Sequence, residues 1–518
     1  MQAQGLTDRS KLSRSELAVL IGAAIVTMTF VSMCSPLYPF NPWDDANCFL
    51  TLGRGIIHGL VPYRDLYEQK GPLLYFIYAV AALISESSFI GALLFEYVAA
   101  SVYAIFSWKI AKLFTKPSKY AVLLVPILLA INYTTKMFNY GGNAEELCFP
   151  LLTVALYFAL RSIVTGDGLP SNRDAVICGL IAGALFWIKY TFLGFIIGLC
   201  IYILVISIKH KAFARLWSLI WRFIAGFVAL SVPILTYFLA NGALGSLWEA
   251  YFYNNIFLYQ TDYLTNRLNS TPVIGNLIIA FRSVFTTAKE FIHFGILLLI
   301  SIISCWFIAK EYRRKAFFLL SVTAVFASIT AFTRPVFVYY YGYILAYGFG
   351  LSLIGAVKLL GIIEKVFKNN ERFIKLLLSV VLVIIFIFSL FTSKNLYLLL
   401  KPKNELVQYR MAEIINQTPD AKILTYDVMD SGFYTAAGLM PQNRFFCYLN
   451  IERNYPAILE EQNRLIEEGY FDYIVTSYFF EEELDNYELI LVDTHPFIDY
   501  TGLKEQEGFK LYKRVQTT

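Results

Sequence analysis

The chain has 518 residues, 57% of them apolar and 16% charged, with a mean hydropathy of +0.56 and a formal net charge of +5. An ordinary soluble chain carries about a quarter charged residues, so a soluble fold cannot hide this much apolar surface; disorder, a disulfide-stapled secreted domain and a cytosolic enzyme are excluded. The Lys and Arg residues sit in short clusters between apolar runs, the pattern of membrane loops anchored by the positive-inside rule, and nucleic-acid binding has no support.

Arg9, Lys11 and Arg14 precede the first charge-free run, Leu17 to Met33. This predicts a cytoplasmic N-terminus and a retained first span, because Cys34-Ser-Pro offers no small-residue cleavage site. Residues 35–71 then lie outside. The run Pro72 to Ile84 is too short to cross and reads as an interfacial segment. Only that reading leaves Lys109, Lys112, Lys116 and Lys119, at the end of the run Ile90 to Phe114, on the cytoplasmic side. The alternation continues through 120–135, 147–164, 175–188, 191–208, 218–240, 290–309, 316–332, 336–359 and 376–393. Each inward run closes on basic residues, such as Lys209 and Arg215, or Lys310, Arg313, Arg314 and Lys315. The expectation is a mainly α-helical polytopic membrane domain over residues 1–393, with about eleven spans and the C-terminus outside.

Residues 394–518 change character. Helical stretches at 405–417 and 457–468 alternate with strand-like runs at 422–426, 445–449, 473–477, 488–492 and 509–512, which predicts a small soluble α/β domain on the extracytoplasmic side. The seven cysteines show no metal-ligand spacing and read as packing residues. His58, His210, His293 and His495 stand singly, and the chain has no P-loop or Gly-rich dinucleotide fingerprint.

The candidate chemistry lies in the outside loops. The first contains Trp43-Asp44-Asp45, then Pro62-Tyr63-Arg64-Asp65 and Glu68-Gln69-Lys70-Gly71-Pro72. Two adjacent carboxylates near a membrane surface repel, so one of them needs a cation or a proton, which is how a general base or a cation ligand is made. Arg64 and Lys70 suit phosphate oxygens, one as a planar fork and the other as a point charge. The plain alternative is that Asp44 caps a helix running to about Gly59 and Asp45 aids its dipole. In the second outside loop Glu145 and Glu146 stand at the threshold of a span, where they equally suit the acidic first turn of a helix capped by Asn143. Lys189 interrupts two apolar halves, and an intramembrane ammonium calls for a partner or for snorkelling to the interface. Arg334 opens the tenth span ahead of the tyrosines 339–341 and 343, which read as an interfacial belt. The amphipathic, aromatic loop 241–289 reads as a lid over a polar cavity.

Together these motifs resemble the GT-C superfamily of polytopic glycosyltransferases, and within it the bacterial branch near the protein mannosyltransferases and lipid A aminoarabinose transferases. The resemblance covers roughly residues 15–360 and rests on the order and shared sidedness of the quoted motifs. It implies a GT-C-like helical bundle with extracytoplasmic interfacial helices, in the bacterial plasma membrane. Asp44 is then the base with Asp45 behind it, Lys70 helps hold the donor phosphate and the family's deeper Lys maps onto Lys189, while Arg64 and Arg334 are further candidate cations for the donor phosphate. The family's second-loop carboxylate maps onto Glu145 or Glu146, and the sequence does not choose. The chain departs from relatives in having Gln69-Lys70-Gly71 where a Glu-Lys-Pro is seen. The implied activity is inverting transfer of a sugar from a polyprenyl-phosphate donor to a glycan, lipid or protein acceptor, with membrane lipids as surroundings. A transporter or flippase of lipid-linked sugars is the competing class. Whether a divalent cation bridges Asp44, Asp45 or Glu145 to the phosphate stays open, since hard cations favour carboxylate and phosphate oxygen.

Overall fold

The computed structural model describes residues 11–135, 138, 140–258, 272–290, 292–331, 342–367, 370–498 and 504–515. The first helix, α1 (Arg14–Val31), is started by a capping box: Ser13 Oγ accepts from the Glu16 amide and Glu16 reaches back to the Ser13 amide. Two shorter helices follow, α2 (Asp44–Ile57) and α3 (Pro72–Ile84), the latter entered through Gly71 with Pro72 at its first position. Then come α4 (Ile90–Phe114), α5 (Leu124–Tyr133), α6 (Ala144–Thr165), α7 (Asn172–Lys189), α8 (Leu193–Lys209) and α9 (Phe213–Ala240). A π-helical stretch (Trp248–Leu258) precedes α10 (Pro272–Glu290), α11 (Ile292–Ser304), α12 (Lys310–Ala331), α13 (Tyr343–Val366) and α14 (Glu371–Thr392).

Side-chain contacts fix the relative directions of these helices. Glu16, at the start of α1, holds Trp108 Nε1 (2.8 Å) and Lys112 Nζ (3.0 Å) at the end of α4, so the two run antiparallel. On α4, Tyr103 donates to Leu345 O (2.7 Å) and Ile110 meets Gly350, so α4 and α13 run parallel. Small residues permit the closest crossing: a Cβ on Gly179 would stand 2.0 Å from Phe223 O, and one on Gly226 would stand 2.2 Å from Val176 O. Ser218 meets Asn172 (3.5 Å) near the start of both helices and Trp187 donates to Ser231 (2.8 Å) further along, so α7 and α9 run parallel. Gly198 and Tyr202 of α8 meet Thr323 and Phe318 of α12 in antiparallel order. These are the directions the alternation of apolar runs and basic clusters requires.

The count of about eleven spans is not confirmed among the described residues. Seven helical runs among the described residues are long and apolar enough to cross a membrane: Arg14–Val31, Ile90–Phe114, Ala144–Thr165, Asn172–Lys209, Phe213–Ala240, Tyr343–Val366 and Glu371–Thr392. The expected spans 175–188 and 191–208 follow one another within a single apolar run, parted by the extended Lys189 and the 3-10 turn Tyr190–Phe192. The helices at 121–133 and 292–307 fall short, and α12 opens on the charged stretch Lys310-Glu-Tyr-Arg-Arg-Lys. The loop expected over 241–289 also holds helical structure, in the π-helical stretch and α10. Exposed apolar side chains such as Trp217, Ile302 and Phe391 line α9, α11 and α14, a surface suited to lipid.

After Thr392 the elements shorten. Helices α15 (Val407–Ile415) and α16 (Ala457–Glu467) pack with a four-stranded sheet of β1 (Ile423–Thr425), β2 (Tyr473–Ser477), β3 (Tyr487–Ile498) and β4 (Lys504–Arg514), in the order β1-β2-β4-β3. β1 lies parallel to β2 with Ile423 opposite Tyr473, and β4 pairs antiparallel with both β2 and β3. The expected strand at 445–449 is absent. Side chains take up its backbone instead: Phe446 O accepts from Thr425 (2.9 Å) and Tyr434 (2.7 Å), and Phe445 O accepts from Gln462 (2.8 Å). A buried apolar run satisfied in this way has no need of a ladder.

Candidate active site at one end of the bundle

The start of α2 is set by Asn41, whose Oδ1 accepts from the Trp43 amide (3.0 Å) and whose Nδ2 donates to Gly141 O (3.0 Å), tying the first loop to the second. Trp43 occupies the N-cap position and no side chain caps the helix, so Asp44 is not the cap that the plain alternative required. Both Asp44 and Asp45 lie in the first turn, where the helix dipole favours negative charge. Asp44 accepts from the Ser431 hydroxyl (2.9 Å) of the C-terminal unit. Asp45 pairs with Lys70 Nζ at 3.3 Å, and Lys70 stands 3.5 Å from Glu68 and over the Phe49 ring. Glu68 also accepts from the Lys70 amide (2.7 Å) and from the Tyr75 hydroxyl, while Tyr63 donates to Lys70 O (2.6 Å). Lys70 is thereby held by carboxylates on two sides, with about a fifth of its side chain open.

Gly71 joins this loop to the third candidate region. Its amide donates to Ile188 O (3.1 Å), and a Cβ there would lie 2.0 Å from Trp187 O. A proline would lose that hydrogen bond, so the Gly in place of a Pro follows from the close approach. One residue beyond Ile188, Lys189 forms a buried ion pair with Glu145. Glu146 points elsewhere: it takes Asn143 Nδ2 (3.2 Å) and meets Glu96 of α4, which in turn accepts from the Gly142 amide (2.6 Å). The two adjacent glutamates therefore have different partners. Glu96 was missed by the sequence reading, although an intramembrane carboxylate was signal enough to single it out. Replacing Lys189 with Met strands Glu145 without its ammonium and is expected to cost about 3–5 kcal/mol. Thermal unfolding in detergent checks this, and the further change Glu145→Gln should recover much of the loss.

Arg64 is placed apart from this cluster. Its fork binds Asp65 (2.8 Å) and Asn241 O (2.8 Å) on an exposed turn. Arg334 lies outside the described residues. No group of three or more His, Cys, Asp or Glu side chains is placed to hold a metal among the described residues. Asp45 and Glu145 each carry an ammonium partner that a divalent ion would have to displace. An apolar cavity of about 250 Å³, lined by Phe158, Tyr202, Leu219 and Phe223, lies toward the other end of α6 to α9, away from these charged pairs.

Two elements roof the cluster. From the π-helical stretch, Asn254 donates to the Tyr67 hydroxyl (2.7 Å) and Asn255 to Gln69 O (2.7 Å), while Tyr251 donates to Phe186 O. This part of the expected lid covers the loop; Tyr259, Asp262 and Tyr263 lie outside the described residues. From the C-terminal unit, Arg444 donates to Tyr63 O (2.9 Å) and pairs with Glu249 (3.1 Å). Along α2, Thr51 donates to Asp430 (2.6 Å), Arg54 donates to Tyr434 O (3.2 Å), and the Cys48 and Cys447 thiols meet. Sequence reasoning missed Asp430 and Ser431, for which Asp-Ser-Gly gave only a turn signal.

Burial pushes the Asp430 carboxyl up to about 6, against the opposing effects of Thr51, the Gly432 amide and Arg54. Its folded value is raised, so between about pH 4 and 6 the folded state binds more protons than the unfolded chain, and stability falls as pH rises through that window. The cost is fully present above about pH 6, on the order of 3 kcal/mol. Glu452, pushed up to about 7 by burial, acts with the same sign. Melting temperatures at pH 4.5 and 7.5 should therefore differ less in Asp430→Asn than in the wild type, and an unchanged gap would contradict this account.

Fold and site together define a polytopic membrane bundle with carboxylates and ammonium groups gathered at one end under a C-terminal α/β roof. The solved structure of ArnT from Cupriavidus metallidurans bound to undecaprenyl phosphate is similar over 97% of this chain and 98% of that chain, with a TM-score of 0.57 and 10% identity. The chain thus shares the overall fold of that structure, in agreement with the helical bundle that the sequence resemblance implied. No family model matches the sequence, and no curated protein matches it.

Proposed function

We propose that the protein is an integral-membrane inverting glycosyltransferase that moves a sugar from a polyprenyl-phosphate donor to an extracytoplasmic cell-envelope glycan, lipid or protein. The reading is carried by one observation: the first outside loop, with Asp44 and the Asp45–Lys70 pair, is tied at one end of the bundle to the Glu145–Lys189 pair through the Gly71–Ile188 hydrogen bond. The solved ArnT complex with undecaprenyl phosphate supports the choice of donor class. In this reading the N-terminus is cytoplasmic, and the site with its roof faces outward across the bacterial plasma membrane.

The acceptor oxygen attacks the anomeric carbon from the face opposite the phosphate and forms the new glycosidic bond. The bond from that carbon to the phosphate oxygen breaks, and its electron pair leaves with the polyprenyl phosphate. The acceptor's proton passes to Asp44. Lys70 and Lys189 are the ammonium groups that offset the charge on the departing phosphate, and preorganised charge of this kind is a major source of rate enhancement. Asp45 and Glu145 hold those ammonium groups in place before the donor arrives.

The test is release of polyprenyl phosphate by the purified protein in nanodiscs, across a panel of polyprenyl-phosphate sugars and with envelope extract as acceptor. Release from one donor, lost in Asp44→Asn, supports the transferase and identifies the sugar. Donor binding without release from any of the panel overturns it in favour of a transporter.

A further inference from the structure

The hydrogen bond from Ser431 to Asp44 joins residues 387 positions apart, from the C-terminal unit to the first turn of α2. We infer that the C-terminal unit completes the active site, with Ser431 as the residue that positions the Asp44 carboxylate for removal of the acceptor's proton. The inference rests on the transferase reading above and extends it to a part of the chain that carries no motif.

The geometry around Ser431 is that of a fixed donor. The residue is buried, its carbonyl accepts from Gln408 Nε2 (3.2 Å), and its neighbour Asp430 is held by Thr51 (2.6 Å) and by the Gly432 amide (3.0 Å). Gly432 lies so close to Phe40 that a Cβ would fall 1.9 Å from the ring. The loop is therefore clamped on both sides of the hydroxyl. A carboxylate on the first turn of a helix turns about two side-chain bonds, and one fixed donor selects its plane while leaving it charged. Orientation set in advance lowers the barrier without strengthening donor binding, so its effect falls on kcat. The base then stands at the seam between α2 and the C-terminal unit, and the acceptor hydroxyl must approach along that seam.

The experiment uses the full chain in nanodiscs with the polyprenyl-phosphate sugar that the wild type turns over. Ser431→Ala should lower kcat roughly 10- to 100-fold, the effect of removing one hydrogen bond to a charged group, with the donor KM unchanged. Ser431→Thr, which keeps the hydroxyl, should restore most of the rate. A wild-type kcat in Ser431→Ala overturns the inference, as does a loss confined to donor KM or an equal loss in Ala and Thr variants. Contact is tested without turnover by oxidising the paired variant Asp44→Cys/Ser431→Cys with copper phenanthroline and identifying the cross-linked peptide by mass spectrometry. A cross-link supports the contact, and its absence overturns it. A wild type that releases nothing from the whole panel overturns the transferase reading itself, whereas an active wild type with an indifferent Ser431→Ala overturns only the role of Ser431.

Discussion

Asp44→Asn is expected to lower the rate of polyprenyl phosphate release about 10²- to 10⁴-fold, the usual contribution of a positioned general base, while leaving fold and donor affinity in place. The substitution is nearly isosteric, and the amide oxygen of Asn can still accept the Ser431 hydroxyl that Asp44 accepts at 2.9 Å. Lys70 keeps its own carboxylate partners, Asp45 and Glu68, so the ammonium stays where a donor phosphate would meet it. The charge lost from the first turn of α2 removes only about 0.3–1 kcal/mol of dipole interaction. Initial rates, donor Kd and melting temperature together separate the outcomes. A rate within tenfold of the wild type would remove Asp44 from the role of base.

The second large effect is structural and acts on the same seam. Gly432 has φ +90°, and a Cβ there would lie 1.9 Å from Phe40 Cζ and 2.9 Å from Asn47 Oδ1. Phe40 is itself buried against Phe89 and Tyr409, so its ring has little room to yield. Gly432→Ala therefore combines about 1–2 kcal/mol of left-handed backbone cost with about 1–3 kcal/mol of overpacking. It should lower the melting temperature and reduce turnover by lifting Asp430 and Ser431 off α2. Gly438 supplies the control, because it shares the positive φ (+70°) but has nothing within 4 Å of its Cβ position. Gly438→Ala should lose only the backbone share and keep its activity. Equal losses from the two substitutions would mean that the close approach of the C-terminal unit to Phe40 contributes nothing.

Much of the bundle was legible because the relevant information is local. A run of apolar residues reports a membrane helix by its own length, and a basic cluster reports the side on which that helix ends. The short helix Pro72–Ile84 was readable for the same reason, as was its entry through Gly71 and Pro72. The span count was less secure, since 121–133 and 292–307 have apolar composition without sufficient length. In the C-terminal unit the β2 strand was found at its observed bounds, but 445–449 has strand-like composition and is held by side chains from Thr425, Tyr434 and Gln462. No local pattern announces that exchange.

The sequence by itself determined a membrane bundle of alternating helices, the loops that carry its ionisable residues, and a C-terminal unit of mixed helix and strand. These follow from hydrophobic length and charge placement, which act within a few turns of chain. Only the tertiary structure decided the partners. Glu145 and Glu146 are neighbours in sequence, yet successive helical positions face about 100° apart, so one meets Lys189 and the other Glu96. Arg64 and Lys70 share a loop, but the first turns to Asp65 and the second to Asp45. Ser431 reaches Asp44 because a loop hundreds of residues away packs without a Cβ against Phe40. Such pairings depend on how distant surfaces fit together, and that information is not written at any single position in the chain.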